Sequence, residues 1–136
     1  MAFLRKKYRW LLVVASSLIV VSVVTYVVYQ QKSKPLYYEN LIGKWVRPDG
    51  GYVLDITTVH RDGKIEMAYL NPRPINVSKA QVNIKSDKIE IFIELRDRNY
   101  PGNYYTLTFD SKANRLVGVY HHLGLNQNFD VYFIKR

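Results

Sequence analysis

Lys88-Ile89-Glu90-Ile91-Phe92-Ile93-Glu94-Leu95-Arg96 is the stretch that decides the fold. Ile89, Ile91, Ile93 and Leu95 occupy every second position, and Lys88, Glu90, Glu94 and Arg96 take the alternate ones with Phe92 among them. Successive side chains of an extended chain point to opposite sides, so the pattern describes a strand with one buried face and one wet face. Outward from it the same period of two returns, broken by turn residues every eight to twelve positions. Ala80–Lys85 turns through Ser86-Asp87 into Lys88, and Tyr104–Asp110 turns through Ser111–Asn114 into Arg115–His121. Tyr52–His60 leads through Arg61-Asp62-Gly63 into Lys64–Leu70, where Asp-Gly supplies the positive backbone angles of a tight hairpin. With Ile42–Arg47 in front and Phe129–Lys135 behind, residues 41–136 hold about eight short strands and no span that calls for a soluble helix. Eight up-and-down strands can close on themselves and so remove exposed edges. The expectation is an all-β domain, a small antiparallel up-and-down barrel, with a β-sandwich as the alternative.

Ahead of this domain lies a different kind of chain. Leu11–Tyr29 reads LLVVASSLIVVSVVTYVVY, nineteen residues without a charge. As a helix it would extend roughly 28 Å, close to the hydrocarbon thickness of a bilayer. Ser16, Ser17, Ser22 and Thr25 suit such a helix because their hydroxyls bond back to its carbonyls. Trp10, Tyr26 and Tyr29 stand near the two ends, at headgroup level. The run is longer than the apolar core of a cleaved signal peptide and ends without an Ala-x-Ala-like exit, so an uncleaved anchor is expected over residues 10–29. Arg5, Lys6, Lys7 and Arg9 precede it, which by the positive-inside bias keeps residues 1–9 cytoplasmic and exports the C-terminal domain. Residues 30–40, with Pro35, read as a short linker that holds the domain near the bilayer.

Charge narrows the function classes. The chain carries a formal +9, but residues 1–34 hold six bases and no acid, whereas the remainder has 14 bases against 11 acids. So balanced a domain offers no stripe for tracking phosphates, and a nucleic-acid partner is not expected. The absence of cysteine excludes disulfides, thiolate metal sites and a cysteine nucleophile.

Leu41-Ile42-Gly43-Lys44-Trp45, followed at once by a turn and a strand, resembles the first strand of the calycin barrels, the lipocalins and avidins. In those families Gly-x-Trp brings the chain closely under the barrel floor and the Trp plugs that end. The resemblance implies structural roles for Gly43 and Trp45, with Lys135 or Arg136 lying over the ring in a cation-π contact. The wider string adds Asp49-Gly50-Gly51-Tyr52-Val53-Leu54, Asn71-Pro72-Arg73-Pro74-Ile75, Glu94-Leu95-Arg96-Asp97, Asn99-Tyr100-Pro101-Gly102 and Phe129-Asp130-Val131. It is similar to a group of uncharacterised bacterial lipocalin-like proteins over nearly all of residues 41–136. That likeness implies a bacterial cytoplasmic membrane as the location, single-pass, with the barrel periplasmic or extracellular, and it brings no activity with it. The match to avidins stops after the third strand and the domain has one Trp, so biotin binding is not expected.

Candidate chemistry is sparse. His121 and His122 are adjacent on a strand and point to opposite faces, which argues against a two-histidine metal clamp. Glu90 and Glu94 share a face but interleave with Lys88 and Arg96, the pattern of a salt-bridged outer surface more than of an acid-base pair. No Gly-x-Ser-x-Gly elbow, phosphate loop or His-Glu-x-x-His helix is present, so no catalytic residue, metal or cofactor is assigned. Asn76-Val77-Ser78 matches a glycosylation acceptor that a bacterial setting leaves idle. Two loops hold arginines where backbone freedom is limited: Arg73 between prolines, and Arg96 and Arg98 beside Tyr100. Together with Tyr105, Tyr120 and His121 they form the candidate binding set. An internal cavity would be lined by Tyr105, Leu107, Val117 and Val119. The expectation is a membrane-tethered, non-catalytic binding module of the cell envelope that holds a protein partner or a small apolar ligand. A small hydrolase or isomerase on the same scaffold is the alternative.

Overall fold

The structure, a computed structural model, describes residues 19–27 and 38–136. The chain divides into two units, Met1–Tyr37 and Tyr38–Arg136. In the first, residues 19–27 are helical, and Ile19, Val20, Val21, Val23 and Val24 are exposed. Two hydroxyls return to the helix as expected: Ser22 donates to the Ile19 carbonyl at 2.8 Å and Thr25 to that of Val21 at 2.7 Å. Among the described residues no helix is long and apolar enough to cross a membrane. The basic segment 1–9, most of the expected anchor and residues 30–37 of the linker lie outside the described residues.

In the second unit the alternating segments become nine strands: β1 (Gly43–Val46), β2 (Val53–Val59), β3 (Ile65–Asn71), β4 (Arg73–Ile75), β5 (Val77–Lys85), β6 (Lys88–Asp97), β7 (Tyr100–Asp110), β8 (Arg115–His122) and β9 (Gln127–Lys135). They form one antiparallel sheet in the order β4-β3-β2-β1-β9-β8-β7-β6-β5. Each strand but β4 neighbours its successor, and the sheet curls until β1 and β9 meet, Trp45 opposite Lys135 and Val46 opposite Ile134. The result is a nearly closed barrel, which a sandwich of two separate sheets is not.

The closure has one gap, between β3 and β5. At one end of it the Val82 N–H donates to the Gly63 carbonyl at 2.8 Å. Gly63 has φ +89°, and a Cβ there would lie 2.4 Å from the Val82 carbonyl oxygen, so only glycine lets the β2–β3 hairpin press against β5. At the other end Asn76 ties the chain to β6, its backbone N–H donating to Asp97 and its side-chain amide to the Arg96 carbonyl. Between these ties the wall holds an opening of about 520 Å³.

Nine strands rather than eight arise because Arg73–Ile75 pairs with β3, Tyr69 opposite Ile75. Two prolines made this segment read as a loop, but a short edge strand tolerates residues that cannot donate. β5 and β7 also begin earlier than expected, at Val77 and Tyr100. Three residues read as linker belong to the domain as well. Tyr38–Leu41 makes a turn closed by the Leu41 N–H on the Tyr38 carbonyl, and it buries Tyr38 and Leu41.

The core follows from the alternation. Ile89, Ile91, Ile93 and Leu95 are all buried, and Leu54, Ile56, Leu107, Leu116 and Phe133 meet them from the other strands. Each contributes about 1.5–3 kcal/mol by leaving water. The outer face of β6 is salt-bridged, Arg96 to Glu94 at 2.6 Å. The β5–β6 hairpin turns on Ser86 (φ 49°) and Asp87 (φ 61°), both left-handed.

One end of the barrel is plugged. Trp45 is fully buried, its indole N–H donating to the Leu41 carbonyl at 2.7 Å and its ring meeting Phe109 edge-on. The cation over the ring is Lys135, with Nζ 5.3 Å from the centroid and 2.7 Å from the Asn40 carbonyl oxygen. Arg136 does not take this role; it is exposed and contributes its backbone N–H to the Lys44 carbonyl. Gly43, at φ +127°, lets Lys135 cross, since a Cβ there would lie 3.2 Å from the lysine Cε.

Candidate functional site

The other end of the barrel is open and lined by phenols. Inward positions on β7 and β8 bring Tyr105 opposite Tyr120, and the β1–β2 connection brings Arg47 and Tyr52, and the end of β3 brings Tyr69, to the same end. With Asn99, Tyr100, His122 and Phe129 these residues enclose a cup of about 350 Å³.

Its floor is a pair of buried tyrosines whose hydroxyls stand 3.0 Å apart, Tyr69 and Tyr105. Burial pushes the Tyr105 phenol up to about 12 and raises Tyr69 further, so both are neutral at physiological pH. Tyr120, half-buried, is also raised by loss of water. The walls are aromatic: Tyr52 stacks on Tyr69 at 6.4 Å, Tyr105 and Tyr120 lie 4.7 Å apart, and Phe129 stacks on Tyr120 at 6.4 Å.

Arg47 guards one side. Its guanidinium grips Asp49 with two hydrogen bonds of 2.6 and 2.8 Å and lies 4.5 Å over the Tyr52 ring. The hydrogen bonds to Asp49 raise the Arg47 pKa and hold the Asp49 carboxyl below its usual range. Two asparagines fix the phenols from behind, Asn71 Nδ2 donating to the Tyr100 hydroxyl at 2.7 Å and Asn103 Nδ2 to that of Tyr120 at 2.9 Å.

Of the candidate residues read from the sequence, Tyr100, Tyr105 and Tyr120 come together here. The others do not line the cup. Arg73 is exposed on the edge strand β4, Arg96 pairs with Glu94 on the outer face of β6, and Arg98 lies exposed in the turn before β7. Asp97 caps that turn by accepting the Asn76 and Arg98 backbone N–H groups, which lower its pKa. His121 lies on the outside of β8, stacked on Tyr104 at 4.2 Å and bonded to Thr106 and Asn128. Val117 and Val119, expected to line the cavity, also face outward. Leu116, Gly118 and Tyr120 hold inward positions of β8, opposite Phe109, Leu107 and Tyr105 on β7, and His122 continues the same alternation.

Arg47, Tyr52, Tyr69, His122 and Phe129 were not among the sequence candidates. The available signal was compositional, since tyrosine makes up 12 of the 136 residues. Among the described residues no group of His, Cys, Asp and Glu is placed to hold a metal ion. What the cup can do chemically is offer hydrogen-bond donors set in aromatic walls. Compared with known proteins, the chain matches no family model, no curated protein and no solved structure. The functional reading therefore rests on the geometry of the cup.

Proposed function

We propose that this protein is a membrane-tethered binding module of the cell envelope, a lipocalin-like barrel that holds a small ligand in its open end. The observation that carries the reading is the cup itself: about 350 Å³, at the small end of the range for ligand sites, walled by aromatic rings and floored by buried hydroxyls. The titratable groups in it favour holding over reacting. Its buried phenols are pushed toward their neutral forms, and no carboxylate stands among the described residues of the lining to act as a base.

The calycin kinship is supported by the plugged end, where Gly43, Trp45 and Lys135 meet in the arrangement that the resemblance implies. The tether is supported by the uncharged run Leu11–Tyr29 and by the basic residues before it. Native mass spectrometry of the full chain, extracted gently from its membrane, tests the ligand: a retained small molecule is expected, and a barrel that always emerges empty and takes up no added compound overturns the reading. Alkaline carbonate tests the tether, since release of the full chain into the wash removes it. Because the chain has no cysteine, a single cysteine placed at exposed Lys112 reports topology cleanly. Labelling of intact cells by a membrane-impermeant maleimide is expected there.

A further inference from the structure

Which atoms donate in the cup is decided by partners outside it. Asn103 is fully buried and accepts the Leu123 backbone N–H through Oδ1 at 3.0 Å. Its Nδ2 is therefore the atom facing the Tyr120 hydroxyl, and an amide nitrogen only donates. The Tyr120 oxygen is an engaged acceptor, and its hydrogen is left for the cup. His122 obeys the same logic. The Leu125 N–H donates to Nδ1 at 3.1 Å, so that nitrogen holds the lone pair and the neutral ring carries its hydrogen on Nε2.

Arg47 adds charge to these donors. Asp49 takes Nε and one terminal nitrogen and the guanidinium also bonds the Tyr105 hydroxyl, which leaves part of its five-donor set to face the cup. The two partners differ in exposure: the Arg47 side chain is 13% exposed and that of Asp49 is 58%. Water screens the carboxylate more than the guanidinium, so the cup faces the positive end of the pair. Among the described residues that line the cup there is no Asp or Glu.

We infer that the cup takes a small aromatic carboxylate, its ring against Tyr52, Tyr120 and Phe129 and its oxygens accepting from Arg47 and the Tyr120 hydroxyl. The inference rests on the reading of the cup as a ligand site and names the chemistry of what enters it. A guanidinium and hydroxyl donors match a carboxylate that accepts several short bonds, and flat walls match a single ring. A cationic ligand would be repelled by the Arg47 guanidinium, whose charge no Asp or Glu among the described lining residues offsets.

Isothermal titration of the full chain in detergent micelles with benzoate, benzylamine, benzyl alcohol and acetate tests this. Benzoate is expected to bind at one saturable site at least about tenfold more tightly than the other three. Arg47→Gln and Tyr120→Phe should each weaken benzoate by about tenfold while the melting temperature reports whether the fold is intact. If either variant melts early, the probe series on the unaltered chain decides alone. Benzylamine or benzyl alcohol binding as tightly as benzoate, in competition with it, overturns the ligand class and leaves the cup as a site. If none of the four binds, both the class and the cup reading fall.

Discussion

The two ends of this barrel are built from the same strands and solve opposite problems. At the plugged end Trp45, Leu41 and Phe109 exclude water, and the charge of Lys135 covers the indole from outside. At the open end the inward positions of β7 and β8 carry phenols, each hydroxyl held by an amide, a guanidinium or another phenol. Along β7 the change takes four residues, from Phe109 through Leu107 to Tyr105. The first end is closed by apolar contact; the second is lined by phenols and a guanidinium around an open cup. Stability and recognition are thereby separated along one strand direction.

If that separation holds, Trp45→Ala should cause the largest loss of stability, about 3–5 kcal/mol in urea unfolding, because a fully buried indole leaves a cavity that strands cannot fill. An equal loss from Tyr120→Phe would break the distinction between the ends. The open end should announce itself instead at high pH. Burial raises the Tyr105 pKa from 10.0 to about 12, so the unfolded chain releases that proton first. The stabilisation from the neutral phenol is whole below pH 10 and is lost as pH climbs from 10 toward 12, on the order of 3 kcal/mol at the upper limit. Unfolding free energies across that window, with absorbance at 295 nm following tyrosinate, check the loss, and a Trp45→Ala variant should show the same slope. Lys135→Met, which removes the cation over Trp45 and the bond to Asn40, should cost about 1 kcal/mol. Smallest of all, replacing Arg73, Arg96 and Arg98 together by serine should shift stability by about 0.5 kcal/mol or less, since all three are exposed and none lines the cup or the plug. Benzoate binding by this triple variant should match that of the unaltered chain, and a loss would move the site to the loops.

The strands were legible where alternation is clean and hidden where it is not. In β6 aliphatic residues mark the inner face without interruption, and all four are buried. In β8 the apolar residues Val117 and Val119 lie outside while Gly118 lies inside, so apolarity pointed to the wrong face. A Cβ on Gly118 would lie 2.0 Å from the Thr106 carbonyl oxygen, which explains why that inward position has no side chain to read. The plug was legible in part from a five-residue motif, since Leu41, Gly43 and Trp45 are local, whereas Phe109 and the choice of Lys135 over Arg136 were not. The cup was legible only in part. Its residues come from separate strands and turns, and no spacing along the chain joins Arg47 to Tyr69 or His122. Tyr100, Tyr105 and Tyr120 come together because they lie on neighbouring strands; Arg73 lies apart from them because its proline-bounded segment forms an edge strand, and Arg96 because it pairs with Glu94 on the outer face of β6.

Lacing β1 to β9 has a consequence for the order of assembly. Apart from the β1–β9 seam, β5 through β9 pair only with sequence neighbours, and so do β1 through β4, so either run can form as a local meander. β1 finds its second neighbour ninety residues later, through two residue pairs, Trp45 with Lys135 and Val46 with Ile134. Until residues 127–135 have been synthesised, the indole of Trp45 has no lysine above it and β1 has a bare flank. The final strand is thus the latch of the barrel, and a nascent chain halted before it would carry an uncovered seam that invites chaperones or neighbours.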